Sequence, residues 1–193
     1  CKKFPSFMST TSPILKSDKL ILKELISSDI TQQYIEWLND FEVNKYLESR
    51  FIHQDEHTVK AFVEACQYSE LHFLFGMFLQ GSMKHIGNIK LGPINIHHNS
   101  AEIGLMIGDK DSWGKGFASK AVSMVTQFGF NQLKLAKLSA GCYENNIGSK
   151  KAFEKSGYQV EGFFRSHVKS NNGREGIWKM GCLASDFNAL KYK

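Results

Sequence analysis

No apolar run in this 193-residue chain approaches the ~18 residues that a membrane-spanning helix requires. Its opening Cys1-Lys-Lys-Phe-Pro also lacks the apolar h-region of a secretory signal. Neither membrane insertion nor secretion is expected. Cysteine is sparse: the four residues at positions 1, 66, 142 and 182 have no CxxC spacing and no disulfide-framework density. That usage implies a reduced, cytoplasmic setting. The net charge of +5 is mild and the lysines are spread out, which argues against a nucleic-acid stripe and fits an anionic small ligand better. Long acidic tracts, internal repeats and linkers are all missing.

What is present is the composition of an ordinary globular protein, 42% apolar and 22% charged. Residues 1–17 are rich in Ser, Thr, Lys and Pro and read as a flexible N-terminal extension, within which Met8 is an alternative start. Residues 18–193 read as a single domain. Leu20 to Leu25 predicts a strand; Ser27-Ser28-Asp29 predicts the cap of a helix carrying Ile30, Tyr34, Ile35, Trp37 and Leu38. A short helix over 41–47 and a third marked by Val59, Phe62, Val63 and Cys66 follow. The period then changes. Strands at 72–80, 84–91 and 101–107 form an antiparallel meander, followed by a helix after Gly116, a strand at 137–143, a helix at 146–156 and a hairpin of 158–164 with 175–182.

The organising stretch is Ala101 to Ser119, where an extended run passes through a turn into Trp113-Gly114-Lys115-Gly116 at a helix start. Glycines let backbone N–H groups approach an anion, and the helix dipole and the lysine attract it. A Walker loop is excluded, because five residues separate Gly108 from Gly114 and Gly116 follows the lysine. A dinucleotide fingerprint fits poorly: its third glycine is Ser119, and the loop follows a meander instead of the first strand of a parallel unit. Glycines serving turn geometry alone are the remaining alternative.

Thirty residues after Gly116 comes a second motif, Asn146-Ile147-Gly148-Ser149 with Phe153-Glu154-Lys155-Ser156-Gly157-Tyr158. With Gly114 and Gly116 it resembles the Gcn5-related N-acetyltransferases (GNAT), and within them the RimJ/RimL-like branch. The likeness runs from about Asp18 to Cys182. The Arg/Gln position of the family loop is Asp111 here, a departure. The resemblance implies an α+β, three-layer acyl-CoA N-acyltransferase fold, with a mainly antiparallel central sheet flanked by helices and splayed at the cofactor cleft. It also implies acetyl-CoA as cosubstrate, no metal, and direct transfer to a primary amine in a ternary complex.

Carried over residue by residue, the resemblance implies that Gly114, Lys115, Gly116, Phe117, Ala118 and Ser119 hold the pyrophosphate. Lys120, Lys150 and Lys151 are candidates for the remaining phosphate. Backbone N–H groups near Met106 or Ile107 would polarise the thioester carbonyl, with Asn146 and Ser149 completing the cofactor side. Glu102 matches the strand glutamate that serves as base in relatives, ahead of Glu144 and His97. Many relatives use a tyrosine as acid where this chain has Phe153; Ser149 can instead hydrogen-bond the leaving sulfur. Trp37, Asn39, Asn44, Tyr46, Glu48 and Arg50, with His97, Arg165 and His167, are candidates to wall the acceptor pocket. The acceptor is then a small amine, including a nucleotide-linked amino sugar, or a protein N-terminal α-amine, acted on by a monomer or homodimer. A catalytically silent acyl-CoA-binding or regulatory module is the alternative.

Overall fold

The computed structural model describes residues 13–171 and 173–190. Eight strands form one sheet: β1 (Ile14–Lys16), β2 (Leu20–Glu24), β3 (Phe73–Leu79), β4 (His85–Leu91), β5 (Ser100–Ile107), β6 (Lys137–Tyr143), β7 (Gln159–Ser170) and β8 (Gly173–Leu183). Their order is β1-β2-β3-β4-β5-β6-β8-β7. The helices are α1 (Gln32–Asn39), α2 (Phe41–Asn44), α3 (Glu56–Gln67), α4 (Phe117–Asn131), α5 (Ile147–Lys155) and α6 (Ala184–Leu190). Every strand pair is antiparallel except β5 with β6. The exception follows from the connection, because α4 carries the chain back across the sheet and returns it in the same direction.

Strand alternation divides the apolar residues between two cores. Leu20, Leu22, Phe75, Met77, Ile89, Leu91, Ala101 and Ile103 meet Ala121, Val122, Val125 and Phe128 of α4 on one face. Leu25, Leu74 and Phe78 meet Tyr34, Trp37, Leu38, Val59 and Val63 of α1 and α3 on the other. Each fully buried valine of α4 contributes roughly 1.5–3 kcal/mol by leaving water. The layering is therefore helices, sheet, helices.

Several local expectations are corrected. Ile14–Lys16, expected in the extension, pairs with β2, while residues 1–12 lie outside the described residues. Ser27–Asp29 forms a 3-10 turn, and the cap of α1 is Thr31, which accepts the Tyr34 N–H at 3.2 Å. α2 ends at Asn44, three residues early. Phe62 is exposed, because it lies off the stripe of Val59, Val63 and Cys66. The last hairpin is longer than predicted, and α6 was not predicted at all.

Half-buried histidine makes stability depend on pH. His85 is packed among Phe78, Trp37 and Tyr34, with ring centroids 4.9, 5.2 and 5.9 Å away. Its Nε2 donates to the Gly87 carbonyl at 3.0 Å and to Asn88 Oδ1 at 2.9 Å, while Nδ1 is buried without a partner among the described residues. Desolvation pushes its pKa below 6.5, against the opposing hydrogen bonds to Asn88 and Gly87 and the field of Asp29. The unfolded chain therefore takes up a proton that the fold resists, so this contribution is complete above pH 6.5 and is lost as the pH falls below it. His72, likewise depressed by desolvation and by Lys90, adds in the same direction. Melting curves from pH 7.5 to 5 are expected to show falling Tm, with a limiting slope of about 1.4 kcal/mol per pH unit for each proton. His85→Phe, which fills the same aromatic slot, should flatten that fall; an unchanged slope would remove His85 as its source.

Candidate active site

β5 and β6 pair only at Ser100↔Lys137, Ala101↔Leu138 and Glu102↔Ser139. Beyond Glu102, β5 stays registered on β4 through Gly87↔Ile107, so β6 is the strand that departs. A gap opens at the carboxyl ends of two parallel strands, each of which feeds a helix N-terminus. Such gaps between carboxyl ends are where ligands bind in α/β sheets.

The direction of the backbone groups along β5 follows from two contacts with the β4 side. Gly92 N–H donates to the Glu102 carbonyl at 2.8 Å, and Gly108 N–H donates to the Ile86 carbonyl at 2.9 Å. With no register shift between them, residues 102, 104, 106 and 108 point their backbone groups at β4, and Ile103, Leu105 and Ile107 point theirs to the β6 side, which beyond the Glu102↔Ser139 pair that engages Ile103 is the gap. This corrects the expectation for Met106, whose N–H is turned toward β4 and whose side chain packs on the α1–α3 core. Ile107, the other candidate, has its N–H facing the gap; its carbonyl accepts Trp113 Nε1–H at 2.8 Å. The tryptophan thus ties the glycine loop to the end of β5.

That loop suits an anion. Gly114 and Gly116 have φ of 72° and 82°, and a Cβ on either would meet nothing within 4 Å, so the requirement is conformational and the space above them is open. Gly116 caps α4 without a side-chain hydrogen bond, whereas Thr31, Asp40, Asp55 and Asn146 cap α1, α2, α3 and α5 through their side chains. The first N–H groups of α4 are left for a ligand. A cleft of about 340 Å³ beside them is lined by Lys115, Gly116, Phe117, Ser119, Lys120 and Lys19 among others. Ala118 follows on the first turn of α4. Lys120 reaches Asp18 at 3.1 Å, and its hydrogen bond holds that carboxyl below the usual range. Lys150 is turned to Glu154 at 2.8 Å and to the Trp178 ring, while Lys151 is exposed. At the turn before the loop, burial would raise the Asp109 pKa, but hydrogen bonds from Ser112 and Lys84 hold it low.

The remaining candidates fall on opposite faces of the sheet. Ser149, in the first turn of α5, donates its N–H to Asn146 Oδ1 at 3.1 Å and lies 3.5 Å by Oγ from Cys142 Sγ, on the α4 side. Glu102 lies on the other side, where a Cβ on Gly141 would stand 3.9 Å from its Oε1 and Lys179 Nζ is 3.8 Å away. Phe153, at the family's tyrosine position, is buried against Tyr158 and does not reach the gap. Cys142 is buried, and desolvation raises its pKa, as expected of inert packing.

On the Glu102 face, the segment after α2 crosses to the sheet. Tyr46 OH donates to the Asn145 carbonyl at 3.1 Å, and Tyr143 OH donates to Glu48 Oε1. Arg50 donates to Tyr143 OH at 2.9 Å and to the Lys169 carbonyl of the last hairpin at 2.8 Å. Burial, with the Glu48 bond second, raises the pKa of Tyr143. Sequence reading placed Tyr143 only as the end of a strand; a phenol among strand residues facing the gap was the available signal, since a buried hydroxyl needs partners.

Other acceptor candidates are elsewhere. Trp37 is a core residue whose ring lies against Gly108, close enough to exclude a Cβ there. Asn39 binds the Gln54 backbone, and buried Asn44 donates to the Leu38 carbonyl. His97 is exposed in the loop before β5, at the opposite end of that strand from the glycines. Arg165 is exposed within the β7 bulge, and His167 packs on Phe164, so the hairpin meets the Tyr46–Arg50 segment through Lys169. Glu144 is held by the Gly176 N–H at 2.9 Å.

Known proteins resemble this chain in sequence and in fold. A family model described as an acetyltransferase (GNAT) domain matches residues 19–159. The uncharacterized N-acetyltransferase YoaA of Bacillus subtilis is 32% identical over 163 residues, covering 82% of this chain and 90% of its own. The crystal structure of spermidine N-acetyltransferase from Vibrio cholerae, in complex with CoA and spermine, superposes with a TM-score of 0.80 at 21% identity, over 89% of this chain and 99% of that one. A GNAT-family acetyltransferase from Bacillus anthracis gives a TM-score of 0.76 at 23% identity, over 90% and 99%. At such identities the two structures speak for the fold, and the family match and the YoaA relationship speak for kinship. The chain belongs to the GNAT family and is an acetyl-CoA-dependent N-acetyltransferase.

Proposed function

We propose that this enzyme acetylates a small primary amine by direct attack, with donor and acceptor meeting in the gap between β5 and β6 from opposite faces of the sheet. The observation that carries this reading is the two-faced gap. The glycine loop, the uncapped α4 N-terminus and Ser149 lie on one face, and Glu102, Glu48 and Tyr143 on the other. When bound, the donor supplies the acetyl group as a reactive thioester.

The residues divide the work. Lys115 and the N–H groups from Gly116 to Ser119 neutralise phosphate charge, with Lys120 beside them. The N–H groups of Leu105 and Ile107 face the gap, where they can donate to a carbonyl as charge develops on its oxygen. Glu102 takes the proton of the attacking amine through water from the last paired position of β5. Ser149 donates a hydrogen bond toward the departing sulfur, and a thiol of pKa ~8.5 needs little further help.

A small acceptor is favoured because the segment from Tyr46 to Arg50 is fastened across the acceptor face at Asn145, Tyr143 and Lys169, which narrows access for a folded protein's terminus. The test is thiol release from acetyl-CoA with spermidine, an amino-sugar nucleotide and an N-terminal peptide, with product mass spectrometry. Turnover of a small amine is expected. Turnover of the peptide alone would move the acceptor to protein α-amines, and turnover of none of the three would place the acceptor outside these classes.

A further inference from the structure

Extending the parallel register past Glu102↔Ser139 sets Gly104 opposite Gly141 and Met106 opposite Tyr143 across the gap. By that extended register Tyr143 belongs to the same level along the strands as the N–H groups of Leu105 and Ile107. Its hydroxyl is the middle of a chain: Arg50 Nη1 donates to it at 2.9 Å, and it donates to Glu48 Oε1. Arg50 spends its other bonds on the neutral carbonyls of Leu47 and Lys169, both at 2.8 Å. Among the described residues, neither Glu48 nor Arg50 forms an ion pair with an opposite charge. Glu102 differs, since Lys179 already stands 3.8 Å from it.

A cation donating to a phenol strengthens that phenol as a donor, so the chain polarises from Arg50 toward Glu48 and fixes one carboxylate oxygen. The exposed remainder of the Glu48 carboxylate keeps most of its acceptor capacity for a further donor. An amine acceptor arrives as an ammonium with three donors and one positive charge, a direct ionic donor that this carboxylate, joined to Arg50 only through the phenol, does not have. We infer that Glu48 is the acceptor-ammonium receptor, and that Tyr143 and Arg50 are positioning residues that hold it at the level of the reacting carbonyl. The inference rests on the acceptor face assigned under the proposed function and adds its specificity: protonated amines, polyamines included, over neutral nucleophiles.

The test titrates n-butylamine and spermidine, as probes, into the full chain saturated with CoA, following 13C-labelled tyrosine by NMR with the Tyr143 signal identified by its loss in Tyr143→Phe. Saturable movement of that signal is expected in the wild type, with at least tenfold weaker apparent affinity in Glu48→Gln, partial recovery in Glu48→Asp, and unchanged CoA affinity throughout. In turnover, Glu48→Gln should raise the amine KM at least tenfold without changing the acetyl-CoA KM. Tyr143→Phe should raise the amine KM about threefold with kcat unchanged, a split that a merely structural tyrosine would not give. No Tyr143 response to either amine, or an equal response in Glu48→Gln, overturns the inference. If Tyr143 responds but no amine releases thiol, direct transfer fails and the receptor stands. If thiol release proceeds with an unchanged amine KM in Glu48→Gln, the receptor fails and direct transfer stands.

Discussion

Replacing Gly116 with valine is expected to raise the KM for acetyl-CoA about 100-fold while leaving the chain folded. The loss corresponds to two backbone N–H bonds to charged oxygen, each worth about 1.5 kcal/mol or more. Gly116 has a φ of 82°, which a β-branched residue adopts only under strain of about 1–2 kcal/mol. Because a Cβ there meets nothing within 4 Å, that strain is the main folding cost, and the added side chain branches from the residue that caps the α4 N-terminus. Isothermal titration with CoA, paired with a thermal melt, separates the two effects. A Tm lowered by the strain with CoA affinity intact would show that the glycine serves the turn and not the ligand.

Glu102→Gln should lower kcat about 100-fold or more, the usual scale for removing a general base, with little change in acetyl-CoA KM. The amide keeps the shape of the side chain, and the cofactor candidates lie on the other face of the sheet. Stability should move by less than about 1 kcal/mol, because the Glu102–Lys179 pair is half-exposed, 3.8 Å apart and screened by water. Single-turnover acetylation measured on pre-bound acetyl-CoA isolates the step. An unchanged rate constant would move the base elsewhere on that face, with Glu48 next in line.

These two substitutions also mark what the amino-acid sequence makes legible. The glycine loop was legible because backbone chemistry is local: two glycines and a lysine at a helix start act through φ angles and N–H groups that their own few residues determine. The helix beginning at Ile147 was legible for the same reason, since Asn146 caps it and Gly157, with a φ of 91°, follows its end. Trp37 fits both the apolar stripe of α1 and a pocket wall in the sequence, and the packing of α1 against Gly108 decides for the core. Met106 against Ile107 could not be decided either, since strand alternation gives side-chain faces, whereas the direction of the N–H groups depends on which neighbour the strand is registered with.

The sequence alone therefore determined the order of the main elements from β2 to β8, though not β1 or α6, the glycine turn before α4 and the family, all of which rest on short-range spacing. The tertiary structure decided where β6 leaves β5, which backbone groups that departure exposes, and that Glu48, Arg50 and Tyr143 meet although the phenol lies more than ninety residues from its two partners. Contacts across such separations are made by the sheet register and by the burial of two cores on its opposite faces, and no local pattern encodes them.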